Sequence, residues 1–134
     1  MLTSSISSLS SGGNCITINF ENVRNKQGRI QVQFYKDSKT FKAETPWAVR
    51  YVSKAELSKG KVTFKVYNIP SGTYGLALLD DENRNTKMDY SWLVPTEGFG
   101  FSDYYHTAWS KPQFEDFKFE LTSHKTITMK IRYL

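Results

Sequence analysis

The sequence predicts an all-β protein, an antiparallel two-sheet β-sandwich of about seven strands. Two observations carry this. Apolar and polar residues alternate with a period of two in one short segment after another, and Gly, Pro and Asn clusters separate the segments. A third is negative: no segment shows the apolar stripe of period 3.6 that an amphipathic helix needs.

The elements follow in order. Ile16, Ile18 and Phe20 alternate with Thr17, Asn19 and Glu21, the pattern of a half-buried strand. Asn25-Lys26-Gln27-Gly28 has turn chemistry, and Ile30, Val32 and Phe34 then alternate with Gln31, Gln33 and Tyr35, so the first two strands are expected to pair as a hairpin. Lys36 to Pro46 is polar, Trp47 to Val52 is a short β-branched run, and Ser53 to Ser58 has room for one helical turn at most. Val62, Phe64 and Val66 alternate with Lys61, Thr63 and Lys65, and Asn68-Ile69-Pro70-Ser71-Gly72 turns the chain. Thr73 to Leu79 is apolar on both faces, as a central strand should be. After a long irregular region, Pro95 to Pro112, two strands close the chain: Phe117, Phe119 and Leu121, then Ile127, Met129, Ile131 and Tyr133.

Bulk properties narrow the function classes. With 134 residues there is enough chain for one packed core, read as a single domain over 15–134. Residues 1–14, rich in Ser and ending in Gly-Gly-Asn, read as a disordered leader or the remnant of an export signal. The formal charge is +5, but Lys36, Lys39, Lys42, Lys54, Lys59, Lys61 and Lys65 are scattered among acids, as on solvated strand faces and turns. No nucleic-acid partner is expected. A single cysteine, Cys15, excludes an intrachain disulfide and a cysteine-based metal site, and reads as a small residue opening a strand. No apolar stretch is long enough to span a bilayer.

Two motifs could carry chemistry. Asp81, Asn83, Asn85, the Lys87 carbonyl and Asp89 place oxygen donors at alternate positions, the spacing with which a loop wraps calcium, and calcium is the one cofactor the residues suggest. An EF-hand would need Gly at Thr86 and Glu at Trp92, so the full signature fails. The favoured alternative is an Asx-rich turn whose side chains bond nearby backbone N–H groups. Downstream, Tyr90, Trp92, Phe99, Phe101, Tyr104, Tyr105 and Trp109 crowd into one region around Gly98-Phe99-Gly100-Phe101. Such rings could contact a partner protein or stack on sugars; a minor core beneath a long loop would use the same residues, and is favoured.

Three stretches, Asn68-Ile69-Pro70-Ser71-Gly72-Thr73-Tyr74, Asp81-Glu82-Asn83-Arg84-Asn85-Thr86-Lys87-Met88-Asp89 and Pro95-Thr96-Glu97-Gly98-Phe99-Gly100-Phe101-Ser102, give the chain a family likeness. From about Ile16 to the C terminus it resembles the uncharacterised bacterial family called domain of unknown function 2141. The resemblance implies a prealbumin/immunoglobulin-like sandwich and an exported protein, often of Bacteroidetes-type bacteria, in the periplasm or at the cell surface and associated with the outer membrane. It implies no established activity. The family pattern usually has histidine where this chain has Asp80, and glycine where it has Arg84 and Thr86.

A catalytic reading would use Asp80, Asp81, Asp89, Glu97, Asp103 and His106, as a carboxylate pair for glycoside cleavage or a histidine base. No nucleophile elbow, zinc-protease motif or phosphate loop accompanies them. The expectation is therefore a non-catalytic module that binds an envelope protein or a glycan through the 80–109 loop region. A calcium-stabilised structural domain is second, and a polysaccharide hydrolase third.

Overall fold

A computed structural model describes residues 13–85, 97–108 and 110–134, together with the backbone of 90–91 and 94–95. Its strands are β1 (Asn14–Glu21), β2 (Arg29–Tyr35), β3 (Ala48–Ser53), β4 (Val62–Ile69), β5 (Gly72–Asp81), the two-residue pair β6 (Tyr90–Ser91) and β7 (Val94–Pro95), β8 (Phe99–Phe101), β9 (Phe119–Leu121) and β10 (Lys125–Lys130). Two short helices interrupt them, α1 (Ser38–Ala43) and α2 (Phe114–Phe117).

Eight of these strands build two facing sheets, as an all-β sandwich requires. One runs β10-β1-β4; the other runs β3-β2-β5-β8, with β9 also paired to β5. Ile16, Ile18, Phe20, Ile127 and Met129 from the first sheet meet Ile30, Val32, Phe34, Leu76 and Leu78 from the second in one buried core. The alternation read from the sequence thus assigned the inward faces correctly. As expected of a central strand, β5 has neighbours on both sides and buried residues on both faces.

Pairing departs from expectation in two places. β1 and β2 do not form a hairpin: β1 pairs with β4 and β10, while β2 pairs with β3 and β5. Both strands present apolar residues to the same core, so alternation is equally satisfied by strands that face each other across the sandwich. The connection between them is held elsewhere, with the Val23 N–H donating to the Gly60 carbonyl at 2.9 Å and the Asn22 side chain donating to the Ile131 carbonyl at 2.7 Å. The sandwich is also not wholly antiparallel, because β10 enters the first sheet alongside β1 in parallel, from Ile16 opposite Lys125 to Glu21 opposite Lys130.

The helices were not anticipated. Within the polar stretch 36–46, Asp37 caps α1 by accepting the Thr40 N–H at 2.8 Å, and Glu44 ends the helix in the left-handed region at φ 56°. With so few residues, α1 has no room for a stripe; its one buried side chain is Phe41. Phe117, read as the start of a strand, instead ends α2. Phe41, Phe114 and Phe117 join Tyr35, Ala77, Phe99 and Phe101 in a second core on the other side of the five-stranded sheet. Its rings meet edge to face or tilted, with Phe41–Phe117 and Phe101–Phe117 centroids both 4.9 Å apart, contacts each worth about 0.5–1.5 kcal/mol beyond area burial.

Candidate functional site

Three consecutive acids at the end of β5 go three ways, and the pleat decides how. Asp80 stands opposite Ile30 and shares the inward face of Leu76 and Leu78; Asp81 stands opposite Arg29 on the outer face; Glu82 has left the strand. Each finds a cation of its own.

Asp80 is fully buried and forms an ion pair through Oδ1 with the Nζ of Lys54, itself 2% exposed. Lys54 also donates to the Gln27 carbonyl at 2.7 Å, and the Tyr133 hydroxyl donates to Asp80 Oδ2 at 2.6 Å. This corrects the reading of Lys54 as a solvated turn residue. Lys54 follows β3 directly and opens a turn in which the Leu57 N–H donates to its carbonyl at 3.0 Å, while its side chain is buried rather than in water. Burial pushes the Asp80 carboxyl up, a pull that the Lys54 ammonium and the Tyr133 hydroxyl oppose. The Tyr133 phenol is raised as well, first by burial and then by its bond to Asp80.

Asp81 lies beside Arg29, with Nε to Oδ2 at 3.5 Å, and its Oδ1 accepts the Asn85 N–H at 2.9 Å. Asn83 Oδ1 accepts the same N–H at 3.1 Å. Glu82 receives a two-pronged contact from Arg24, 2.8 Å at each oxygen, and a third hydrogen bond from Asn25 at 3.0 Å. That Arg24 fork holds the Glu82 carboxyl below its ordinary range and raises the guanidinium in return. Gly28 makes the arrangement possible. Its φ is 67°, and a Cβ there would stand 2.1 Å from the Asp81 carbonyl oxygen.

Of the residues read as a calcium loop, Asp81 and Asn83 therefore turn oxygens onto one backbone N–H, as in the Asx-turn alternative. Asn85 supplies that N–H, while Lys87 and Asp89 lie outside the described residues.

The aromatic set divides. Phe99 and Phe101 are buried rings of the second core, so as contact residues they are corrected: β8 pairs them with Leu79 and Ala77 and turns them onto their own protein. Tyr104 is half-buried against that core, and Tyr105 is 43% exposed. The side chain of Tyr90, and Trp92 and Trp109 entirely, lie outside the described residues. The segment carrying Tyr105 is pinned at many points. Ser102 Oγ donates to the Phe117 carbonyl at 2.7 Å and accepts the Leu76 N–H at 3.1 Å. Asp103 Oδ1 and the Asp103 N–H bond the Thr128 N–H and carbonyl, each at 2.8 Å. Arg132 donates to the carbonyls of His106 and Ala108 at 2.8 and 3.1 Å.

Of the residues of the catalytic reading, Asp89 lies outside the described residues, Glu97 is buried just before β8, and the others are held apart. Asp80 and Asp81 point to opposite faces of β5, Asp103 is bound to β10, and buried His106 spans the Tyr104 hydroxyl at 3.3 Å and the Ser110 carbonyl at 2.5 Å. Likewise the 81–85 turn packs beside Gly28 and Arg29, whereas Asp103 is anchored on Thr128 of β10 and His106 on Arg132 just beyond that strand. Sequence reasoning missed Lys54, Tyr133 and Arg24. None stands in a motif, and only the acid triplet Asp80-Asp81-Glu82 hints that cations must converge there.

A family model described as an uncharacterized protein conserved in bacteria, DUF2141, matches residues 18–129. The chain belongs to the DUF2141 family. No curated protein and no solved structure matches it. In this DUF2141 chain Arg84 adopts φ 59°, a left-handed conformation that glycine reaches more readily than other residues.

Proposed function

We propose that this DUF2141 chain is a non-catalytic exported module, working in the periplasm or at the cell surface, that binds a glycan through Tyr105 and the polar sheet face beside it. The observation that supports this is where the exposed ring stands. Lys130 Nζ lies 4.9 Å from the Tyr105 centroid, and Lys130 belongs to the outer face of the three-stranded sheet.

On that face the outward residues align in rows across the strands. Lys65, Thr17 and Thr126 form one, Thr63, Asn19 and Thr128 the next, and Glu21 with Lys130 a third. Thr63 donates to Asn19 Oδ1 at 2.9 Å, which orients the amide. Tyr67, 63% exposed, stands on the same face near its other end. From Cys15 to Glu21 the face is roughly 20 Å long at the usual strand rise. Sugars present hydroxyls along their edges and C–H groups on their faces. Hydroxyl, amide and ammonium groups in rows meet the edges, and a tyrosine at the rim offers a platform for the faces. The pinned 97–108 segment holds that platform without a further ordering cost on binding.

The test is an array of bacterial envelope glycans probed with the whole chain and with Tyr105→Ala. Binding that falls about tenfold or more in the variant supports the assignment. A blank array overturns it. A Tyr105-dependent envelope protein recovered alongside a blank array would make the partner a protein instead.

A further inference from the structure

The Lys54–Asp80 pair takes no part in that binding face, and its surroundings suit a different chemistry. We propose that Lys54 and Asp80 condense into an intramolecular isopeptide bond, an amide between Lys54 Nζ and Asp80 Cγ.

Burial is the first argument. The two side chains are 1% and 0% exposed, so as an ion pair both charges sit out of water, at a desolvation cost. Burial accordingly pushes the Asp80 carboxyl toward its protonated form. The second argument is hydrogen-bond demand. An ammonium has three N–H donors, and among the described residues Lys54 has two partners, Asp80 and the Gln27 carbonyl. A secondary amide has one N–H and one carbonyl. The Gln27 carbonyl, at 2.7 Å from Nζ, takes the first, and the Tyr133 hydroxyl, at 2.6 Å from Oδ2, serves the second. The condensed product is thus satisfied one for one by groups already in place, with no buried charge left.

The third argument is fixed geometry. Asp80 is held by the Asp80 N–H to Gly98 carbonyl bond at 2.8 Å and by its pairing with β2, and Lys54 is held by the end of β3 and by Gln27. Two reactants held in contact react as though at very high concentration. Gly98 permits the close packing, since a Cβ there would stand 2.5 Å from both Ile131 Cγ2 and Tyr133 Cε1.

The step balances within the pair. The ammonium passes one proton to Asp80 Oδ1, giving a neutral amine and a carboxylic acid. Nζ attacks Cγ, and the negative charge that develops on Oδ2 is met by the Tyr133 hydroxyl. A proton moves from the nitrogen to Oδ1, the Cγ–Oδ1 bond breaks, water leaves, and Oδ2 becomes the amide oxygen. No oxidant or co-reactant is needed.

Intact mass spectrometry of the purified, denatured full chain tests this directly. Condensation predicts a mass about 18 Da below that of the sequence, with trypsin no longer cutting after Lys54 and a branched peptide joining residues 54 and 80. Lys54→Met and Asp80→Ala are each expected at full sequence mass, a reading valid whether or not the variant folds. Wild-type protein that stays at full mass after prolonged incubation at neutral pH overturns the proposal. So does a water loss that persists in Lys54→Met, which would place the dehydration elsewhere. Tyr133→Phe should slow product formation tenfold or more, and an unchanged rate would remove Tyr133 from the step.

Discussion

Gly28 and Gly60 form a matched pair for testing how β5 leaves its sheet. Both are left-handed, at φ 67° and 78°, so alanine at either carries the same backbone strain. That strain is about 1–2 kcal/mol, offset in part by about 0.4–1 kcal/mol from the stiffer unfolded chain. Their surroundings differ sharply. A Cβ at Gly60 would approach nothing nearer than the Val23 carbonyl oxygen at 3.7 Å, ordinary contact. At Gly28 it would stand 2.1 Å from the Asp81 carbonyl oxygen and 2.6 Å from Glu82 Cα and its carbonyl oxygen. These are backbone atoms held by β2 pairing and by the Arg24–Glu82 fork, so they cannot step aside as a side-chain tip could. Overpacking of that kind adds about 1–3 kcal/mol. Gly60→Ala should therefore cost about 1 kcal/mol and Gly28→Ala about 2–4 kcal/mol. Urea denaturation followed by tryptophan fluorescence, with m-values compared to confirm two-state behaviour, reads both. Equal losses, to within about 0.5 kcal/mol, would mean that the 25–28 turn does not lie against the 81–82 backbone, and would refute the reasoning.

Phe101→Ala, which opens the second core between Phe41, Phe99 and Phe117, should cost about 3–5 kcal/mol, whereas Tyr105→Ala should stay within about 0.5 kcal/mol of wild type in the same assay. Because Arg24 holds the Glu82 carboxyl low, that pair adds stability above the ordinary carboxylate range and loses it as pH falls through the depressed value. Glu82→Gln should accordingly be less stable than wild type by about 1 kcal/mol at neutral pH and equal to it in strong acid, as read by melting across pH. Millimolar calcium, set against chelator, should leave the melting midpoint unchanged, since Asp81 and Asn83 already turn onto the Asn85 N–H. Stabilisation near 2.7 kcal/mol, the amount that about a hundredfold excess over Kd would supply, would restore the ion-loop reading.

The legible part of this fold was its faces, because inward and outward residues along a strand differ in chemistry. Ile16, Ile18 and Phe20 and Ile30, Val32 and Phe34 announce burial plainly, and all are buried. Partners were less legible. Nothing in Asn25 to Gly28 distinguishes a hairpin turn from a crossing between sheets; the deciding contacts, with Gly60, Ile131 and Glu82, come from distant chain. The site shows the same division. The Asx-turn at Asp81 to Asn85 is a local arrangement and was readable as such, whereas Lys54 and Tyr133 reach Asp80 across 26 and 53 residues that carry no shared pattern. Aromatic composition foretold an extra core but not which rings would fill it. Phe99 and Phe101 went inward because β8 places them on the face of β5 that α1 and α2 cover.

The parallel pairing of the first strand with the last has a consequence for biosynthesis. Just before that pairing the Cys15 N–H donates to His124 Nδ1 at 2.9 Å, across 109 residues of chain. A ribosome adding about 5–20 residues per second needs roughly 5–20 s to cover that separation. Throughout this interval the nascent chain carries Ile16, Ile18 and Phe20 on a strand with one bare edge, open to pairing with any passing strand. Truncation before Lys125 would make that interval permanent, so C-terminal deletions should aggregate rather than merely soften the fold.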